Sequence, residues 1–305
     1  MSDSNSPHDL GRIVCPDFRQ ILENFRAQLE LRETEINNLN VFPVPDADTG
    51  TNSLLTIQAG LTGLASSADS DELLPTLVRE FAQHASFHAR GNSGTILAEY
   101  FRGMSLVLAD AADATNWQSA LKSAAVCAHQ AVLAPCDGTI LSVANAIAQV
   151  PTSNDLATFL DDVTRIAKAA LTETTGQLEQ LREAQVVDAG ACVLVLFHEV
   201  VSSFYNQQQT DISFIKAGTC ASFGSNYSGP EFEVTLLVTA SHDIRTNLRD
   251  ALASLGESLT IAGSAPEFKV HIHTDEVEAV IHAASLFGEV SLITTASLSE
   301  FIAIP

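Results

Sequence analysis

Apolar positions in the first two thirds of the chain recur at helical spacing. Phe18, Ile21, Leu22, Phe25, Leu29 and Ile36 form one such stripe over residues 18–37, the repeat expected of a single buried helix face. Comparable patterns return at about 53–64, 72–88, 94–109, 117–134, 139–149, 155–173, 177–184 and 190–206, in segments rich in Ala, Leu, Gln and Glu, which favour helix. Ala191 to Val201 is apolar nearly all round, which predicts a helix buried among other helices. The pattern breaks between Gln207 and Pro230, where Gln, Ser, Gly and Asn dominate, a candidate linker or ordered loop. Beyond it the period shortens. Phe232–Thr239, Leu259–Ala262, Phe268–His273 and Val290–Thr294 read as strands, with helices over Asp243–Leu255 and Val277–Phe287. The order β-α-β-β-α-β is that of a ferredoxin-like α+β unit. The expected organisation is an all-α domain over residues 1–207, a linker or loop over 208–230 and a small α+β domain over 231–305.

A chain of 305 residues with 46% hydrophobic content can bury two cores. Its charge narrows the functions open to it. There are 37 acidic against 15 basic residues, a formal charge of −22. A nucleic-acid surface or a basic patch for anionic lipid needs clustered Lys and Arg, so neither is expected. No apolar run reaches the length of a membrane span, and Met1 to Arg12 lacks an apolar signal core. The five cysteines are odd in number, scattered and without a CxxC pair, which predicts reduced thiols and a cytoplasmic protein.

Four loops carry candidate chemistry, and each ends where a helix begins. In the first, Asn40 to Asn52, Asp46 and Asp48 sit two residues apart on a turn stiffened by Pro43 and Pro45. Thr51 or Asn52 can cap the helix that follows, whose free N–H groups attract anions. Such a pair suits Mg²⁺ bridged to phosphates, since Mg²⁺ uses one or two carboxylates plus substrate oxygens; it also reads as a solvated Asx-rich turn. The second, Arg90-Gly91-Asn92-Ser93-Gly94-Thr95, opens a helix near residue 94 and offers hydroxyls, a close backbone approach and a cation. It reads equally as a glycine-kinked helix start. The third is Pro135-Cys136-Asp137-Gly138-Thr139. The fourth is Val187-Asp188-Ala189-Gly190, where Asp188 is either a plain N-cap or a ligand. If alternate helices run the same way, the four starts gather at one end of a bundle and concentrate carboxylates, hydroxyls and helix dipoles there. A metal–nucleotide site is the simplest use of that arrangement. No Walker A or GxGxxG motif is present.

The run Ile36 to Asn52 resembles the signature of the DhaL/Dak2 kinase domain, in the version found in the FakA-type component of bacterial fatty acid kinase. Arg90–Gly94, Gly138–Leu141 and Val187–Gly190 are similar to further motifs of that family in the same order. So are Glu231-Phe232, Leu255–Leu259 and Val270–Thr274 in the C-terminal part. The resemblance implies an eight-helix barrel that binds ATP and two Mg²⁺ ions at one end. It would place Asp46, Asp48 and Asn40 at the metals, with Arg90 among the catalytic groups. It would place Thr49, Gly50, Thr51, Asn52, Asn92, Ser93, Gly94, Thr139, Asp188 and Gly190 around the nucleotide. It further implies a separate acyl-binding partner protein that presents a fatty acid carboxylate for phosphorylation, and it is compatible with a homodimer.

Several departures accompany the resemblance. Asn40 stands where the dihydroxyacetone kinase branch has an aspartate, and Ala47 replaces a more usual glycine, a change expected to be tolerated. The family's middle domain is expected to hold Zn²⁺ on a His-x-His strand and a cysteine. His271 and His273 are present on one strand face, but Ser228-Gly229-Pro230 carries no cysteine, and Cys220 lies further upstream. Zinc and a pair of half-buried histidines with other partners both remain open. The family's further C-terminal domain is absent from a chain ending at Pro305, so this reads as a shortened relative or one whose missing part lies on another chain. Two alternative functions stand beside the fatty acid kinase reading: a kinase subunit for a small metabolite such as dihydroxyacetone, and a nucleotide-sensing or scaffolding protein without turnover.

Overall fold

A computed structural model describes residues 11–65, 73–213 and 229–298. The helical part begins with a two-residue strand, β1 (Ile13–Val14), paired antiparallel with β2 (Ala111–Ala112), a pairing too short to leave a period in the sequence. Its helices are α1 (Cys15–Asn37), α2 (Thr49–Ala65), α3 (Leu74–Phe87), α4 (Gly91–Ser105), α5 (Ala114–Ala131), α6 (Ile140–Ala148), α7 (Leu156–Gln177), the short α8 (Glu179–Ala184) and α9 (Ala189–Tyr205). Every helical segment expected from periodicity is found. The starts of α2 and α4 fall about four and three residues earlier than expected, because capping and close packing, rather than apolar period, set those ends.

Caps fix several of the starts. The Asp113, Asp155 and Asp188 carboxylates accept from Asn116, Thr158 and Ala191 N–H at α5, α7 and α9, each satisfying a donor the helix leaves open. Helix α9 is buried on nearly all sides. Its Phe197 meets Phe25 and Phe101 edge-on, with ring centroids 5.4 and 4.9 Å apart, a geometry favoured by the ring quadrupoles.

The second part is β3 (Phe232–Thr239), α10 (Arg245–Leu252), β4 (Glu257–Ser264), β5 (Glu267–Thr274), α11 (Val277–Ser285) and β6 (Glu289–Ser297). The order is the expected β-α-β-β-α-β. The strands form one antiparallel sheet in the order β4-β5-β3-β6. Alternation divides its faces. Val234, Leu236, Leu259, Ile261, Val270 and Ile272 join Leu248 and Leu252 of α10 and Val280 and Ala284 of α11 in a core of their own. The opposite face carries Glu233, Thr260, Lys269, His271 and His273, and it turns toward the helical part. There the Thr260 hydroxyl donates to the Asn92 side-chain oxygen at 3.1 Å, and Leu133 N–H donates to the Leu259 carbonyl at 3.0 Å.

A buried ion pair fastens the two parts. Glu99 of α4 is fully enclosed and accepts from Arg102, from Arg245 Nη1 at 3.0 Å and from Gly263 N–H at 2.7 Å. Arg245 also donates to the Ile261 and Gly263 carbonyls.

Candidate active site

The Asn40–Asp48 loop is fastened by two asparagines. Asn40 donates its amide to the Val44 carbonyl at 2.6 Å, and its oxygen accepts from both the N–H and the hydroxyl of Thr49. Asn37 accepts from Gly50 and Thr51 N–H at 2.7 and 3.1 Å. The first turn of α2 is therefore capped from α1 and the loop, not by Thr51 or Asn52. Asn40, expected at a metal, has both ends of its amide engaged and acts here as the fastener of the loop. Gly50 and Thr51, expected at the nucleotide, instead face α1: a Cβ on Gly50 would lie 2.5 Å from the Glu33 carbonyl oxygen, and the Thr51 hydroxyl donates to Glu33. Gly94 likewise serves helix packing, since a Cβ there would collide with the Thr56 hydroxyl.

What the loop presents is the acidic pair. The half-buried Asp46 and Asp48 carboxyls are in hydrogen-bonding contact, and Asp48 is bonded to Asn52 as well. Desolvation, then the neighbouring Asp48 and more weakly Glu233, push Asp46 up to about 8; burial also raises Asp48. Two carboxyls that hold a proton between them in a desolvated site are the donor set a hard divalent cation displaces that proton from. The residues present thus fit Mg²⁺.

The four helix starts meet around two adjoining cavities, as expected if alternate helices run the same way. Asp46, Asp48, Thr49, Asn52, Asn92 and Ser93 surround a small polar cavity of about 30 Å³, closed on the other side by Glu233, His271 and His273. Thr49, Asn92 and Ser93 also border a larger adjoining cavity of about 540 Å³, within the range of cofactor pockets. Thr139, Ile140, Asp188 and Gly190 from α6 and α9 line it, with Ile96, Val132 and Leu133 as apolar wall. Thr139 caps α6, accepting from Leu141 N–H at 3.3 Å. The Asp188 carboxylate accepts from Ala191 N–H at 2.7 Å and also draws on Ile140 and Gly190 N–H. It therefore clasps the starts of α6 and α9 together. Burial raises it to about 6 against those bonds. Arg90 is exposed at the N-cap position of α4, outside both cavities; burial raises the Glu233 carboxyl, and His273 and then Arg90 offset only part of that rise.

Sequence reasoning missed the roof. Gly256 to Thr260, at the start of β4, form one wall of the larger cavity, and Glu233 joins the histidines at the smaller one. Glu233 and His273 are paired across β3 and β5, and Thr235 and His271 are the next same-face pair. The acidic residue in an otherwise apolar strand was the available signal; the strand pairing that gives it meaning is not written in the local pattern. His271 Nε2 and His273 Nε2 lie 3.2 Å apart, and burial lowers both rings to about 4, holding them as the neutral imidazoles that bind metals. Cys220 and Ser228 lie outside the described residues.

With this geometry, the family matches are specific. A model of the DAK2 domain matches residues 43–203, and one of the FakA-like middle domain of fatty acid kinase matches residues 229–301. The first covers more than half of the chain. The chain belongs to the DAK2 domain family. This DAK2 protein is 29% identical to Protein YloV of Bacillus subtilis (strain 168) over 315 residues, covering 93% of this chain and 55% of that protein. It is 26% identical to uncharacterised proteins of Staphylococcus saprophyticus, over 326 residues, and of Staphylococcus haemolyticus, over 311 residues. Each of these alignments covers 95% of this chain and 55% of the relative. The chain thus spans about half the length of the curated relatives it matches. It is a kinase-family protein with a helical DAK2 region followed by the middle-domain fold. No helix among the described residues is long and apolar enough to cross a membrane.

Proposed function

We propose that this DAK2 protein is an ATP- and Mg²⁺-dependent phosphotransferase subunit that phosphorylates a fatty acid carboxylate presented by a separate acyl-binding protein. The observation that carries the reading is the convergence of four helix starts on one cavity beside the Asp46–Asp48 pair. Residues 1–207 are the catalytic domain, read as the family's eight-helix barrel with α8 as a short appendage. Residues 208–230 connect it to the α+β domain of residues 231–305. ATP as the donor implies a cytoplasmic site of action.

Asp46 and Asp48 would hold Mg²⁺, two ions in the family's pattern, on the phosphate side of the cavity. Bound there, the ions supply neutralisation of charge on the transferring phosphoryl group. The chain's own groups do the positioning. Among the four starts, those of α2, α6 and α9 are capped by Asn37 and Asn40, Thr139 and Asp188, whereas Arg90 makes no side-chain cap at α4. The first turn of α4, with Asn92 and Ser93, is therefore the helix end that presents N–H groups to phosphate oxygens. The apolar wall of Ile96, Val132 and Leu133 receives the adenine. A carboxylate acceptor is ionised at neutral pH and needs no strong general base, in keeping with four loops that offer no histidine.

Calorimetry with ATP tests the reading. Binding should require Mg²⁺ and disappear in Asp46→Ala/Asp48→Ala; phosphoryl transfer in Asp46→Ala should fall by at least about 10²-fold, as other losses of charge stabilisation do. Binding without Mg²⁺ dependence, or near-native transfer in the single variant, would remove the metal clamp from the mechanism. Turnover of free dihydroxyacetone without a partner protein would replace the acyl acceptor by a small metabolite.

A further inference from the structure

A third cavity, of about 210 Å³, lies between α3, Arg102 of α4 and the facing β4–β5 hairpin. It shares no lining residue with the two cavities of the candidate site. Three of the chain's 15 basic side chains, Arg79, Arg102 and Lys269, border it, against one carboxylate, Glu267. In a chain of formal charge −22 such clustering is local. Arg102 is held by Glu99, which accepts from its Nε at 2.8 Å and pairs with Nη2 at 2.8 Å. Arg245 shares the same carboxylate, so Glu99 answers two guanidiniums and an excess of positive charge stays beside the cavity. Arg79 and Lys269 form no ion pair with a carboxylate among the described residues.

Ser86 of α3 points to a ligand independently. It borders the same cavity, is 3% exposed, and its hydroxyl has no hydrogen-bond partner. Hydroxyls on neighbouring helices turn back to the carbonyl four residues earlier, as Thr56 does to Asn52 at 2.7 Å and Thr95 to Gly91 at 2.9 Å. Ser86 makes no such bond, and an enclosed hydroxyl without a partner is kept at a cost in stability.

We propose that this cavity binds a small oxyanion of the phosphate class, either inorganic phosphate or the phosphate group of a short ester. Arg79 and Lys269 supply charge, Arg102 a guanidinium already fixed in place, and Ser86 a neutral donor, a set suited to phosphate oxygens. The volume lies below that of pockets for larger organic ligands, which suits such an anion and is too small for a nucleotide. Phe87 and Leu237 add an apolar wall. The donors come from α3 and α4 on one side and β5 on the other. An anion bound among them ties the sheet to the helical part without touching the Asp46–Asp48 loop.

Calorimetric titration of the full-length protein with inorganic phosphate, at fixed ionic strength and without ATP or Mg²⁺, tests this, and its failure is thereby separate from failure of the kinase reading. Saturable binding is expected. Lys269→Met should weaken it at least about tenfold, the loss of one charge-assisted bond. Asn92→Ala/Ser93→Ala, at the start of α4 in the candidate active site, should leave it unchanged. Ser86→Ala should weaken binding too, yet the phosphate-free variant should unfold at the native temperature or above it, because an unpartnered hydroxyl has been removed. Ser86→Ala changes a single oxygen, so it keeps the test decisive if Lys269→Met fails to fold. A parallel titration with glycerol phosphate separates the sources: tighter binding than inorganic phosphate assigns the cavity to an ester lodged on Phe87 and Leu237, and equal or weaker binding assigns it to the free anion. Binding of neither anion to the native protein, phosphate binding lost from Asn92→Ala/Ser93→Ala but kept by Lys269→Met, or unchanged affinity in Ser86→Ala would each overturn the proposal.

Discussion

Ala47, between the two aspartates, holds φ at +55°, a left-handed backbone that costs a residue with a Cβ roughly 1–2 kcal/mol. The sequence alone suggests that a small residue here is merely tolerated; the dihedral shows why glycine is the usual choice and what the alanine costs. Ala47→Gly removes the steric term and restores about 0.5–1 kcal/mol of unfolded-chain freedom. The expected net effect in urea denaturation is a gain of up to about 1 kcal/mol, whereas Ala47→Val should lose more than that. A marked destabilisation by glycine would mean the left-handed turn is not the conformation in solution. The contact between the two aspartates was legible, because two carboxyls two residues apart on one stiff turn are held close together. Asn40 was not, because an amide reads alike as ligand or fastener until its Val44 and Thr49 partners are seen.

At the scale of elements, periodicity located every long helix and strand, since burying one face imposes the repeat directly. It placed the starts of α2 and α4 poorly. Those ends depend on Asn37, fourteen residues before Thr51, and on the contact of Gly94 with Thr56, which no local window contains. The all-round apolar pattern of α9 correctly implied burial, and that burial has a consequence at its centre. His198 is 1% exposed, bonded through Nε2 to the Tyr100 hydroxyl at 2.9 Å, and desolvation lowers it to about 3. The unfolded chain titrates near the ordinary 6.5, so between these values the unfolded state binds more protons and stability falls as pH falls. The contribution is intact above about pH 6.5 and declines below it by up to about 1.4 kcal/mol per pH unit. His198→Gln should lack this slope. Denaturation at pH 7 and pH 5 gives the check: the loss on acidification should be smaller in the variant by about 2 kcal/mol. An equal loss in both proteins would show that His198 does not stay neutral inside α9.

For the whole molecule, what matters is that the larger cavity has walls from both parts of the chain. The sequence gives two apolar patterns and a composition break between them, but a domain interface built from polar groups has no period to read. Its central tie is Glu99, enclosed and shared by Arg102, Arg245 and Gly263 N–H. Arg245 reaches it from the first turn of α10 while also holding the Ile261 and Gly263 carbonyls of β4. Breaking one partner of such a buried pair costs about 3–5 kcal/mol, because the other charge is left without compensation. Glu99→Ala would fall in that range. Arg245→Met is milder, since Arg102 still compensates Glu99, yet it releases β4 at the strand that bounds the cavity through Gly256–Thr260. Hydrogen exchange should therefore rise in β4 and the Val132–Leu133 segment bonded to it, while α9 stays protected. ATP affinity should fall although no residue of the Asp46–Asp48 loop has changed. Unaltered exchange in β4 would show that the sheet is seated by its polar face alone, and the small domain would then be held over the cavity by the contacts around Asn92 and Thr260 rather than by the ion pair.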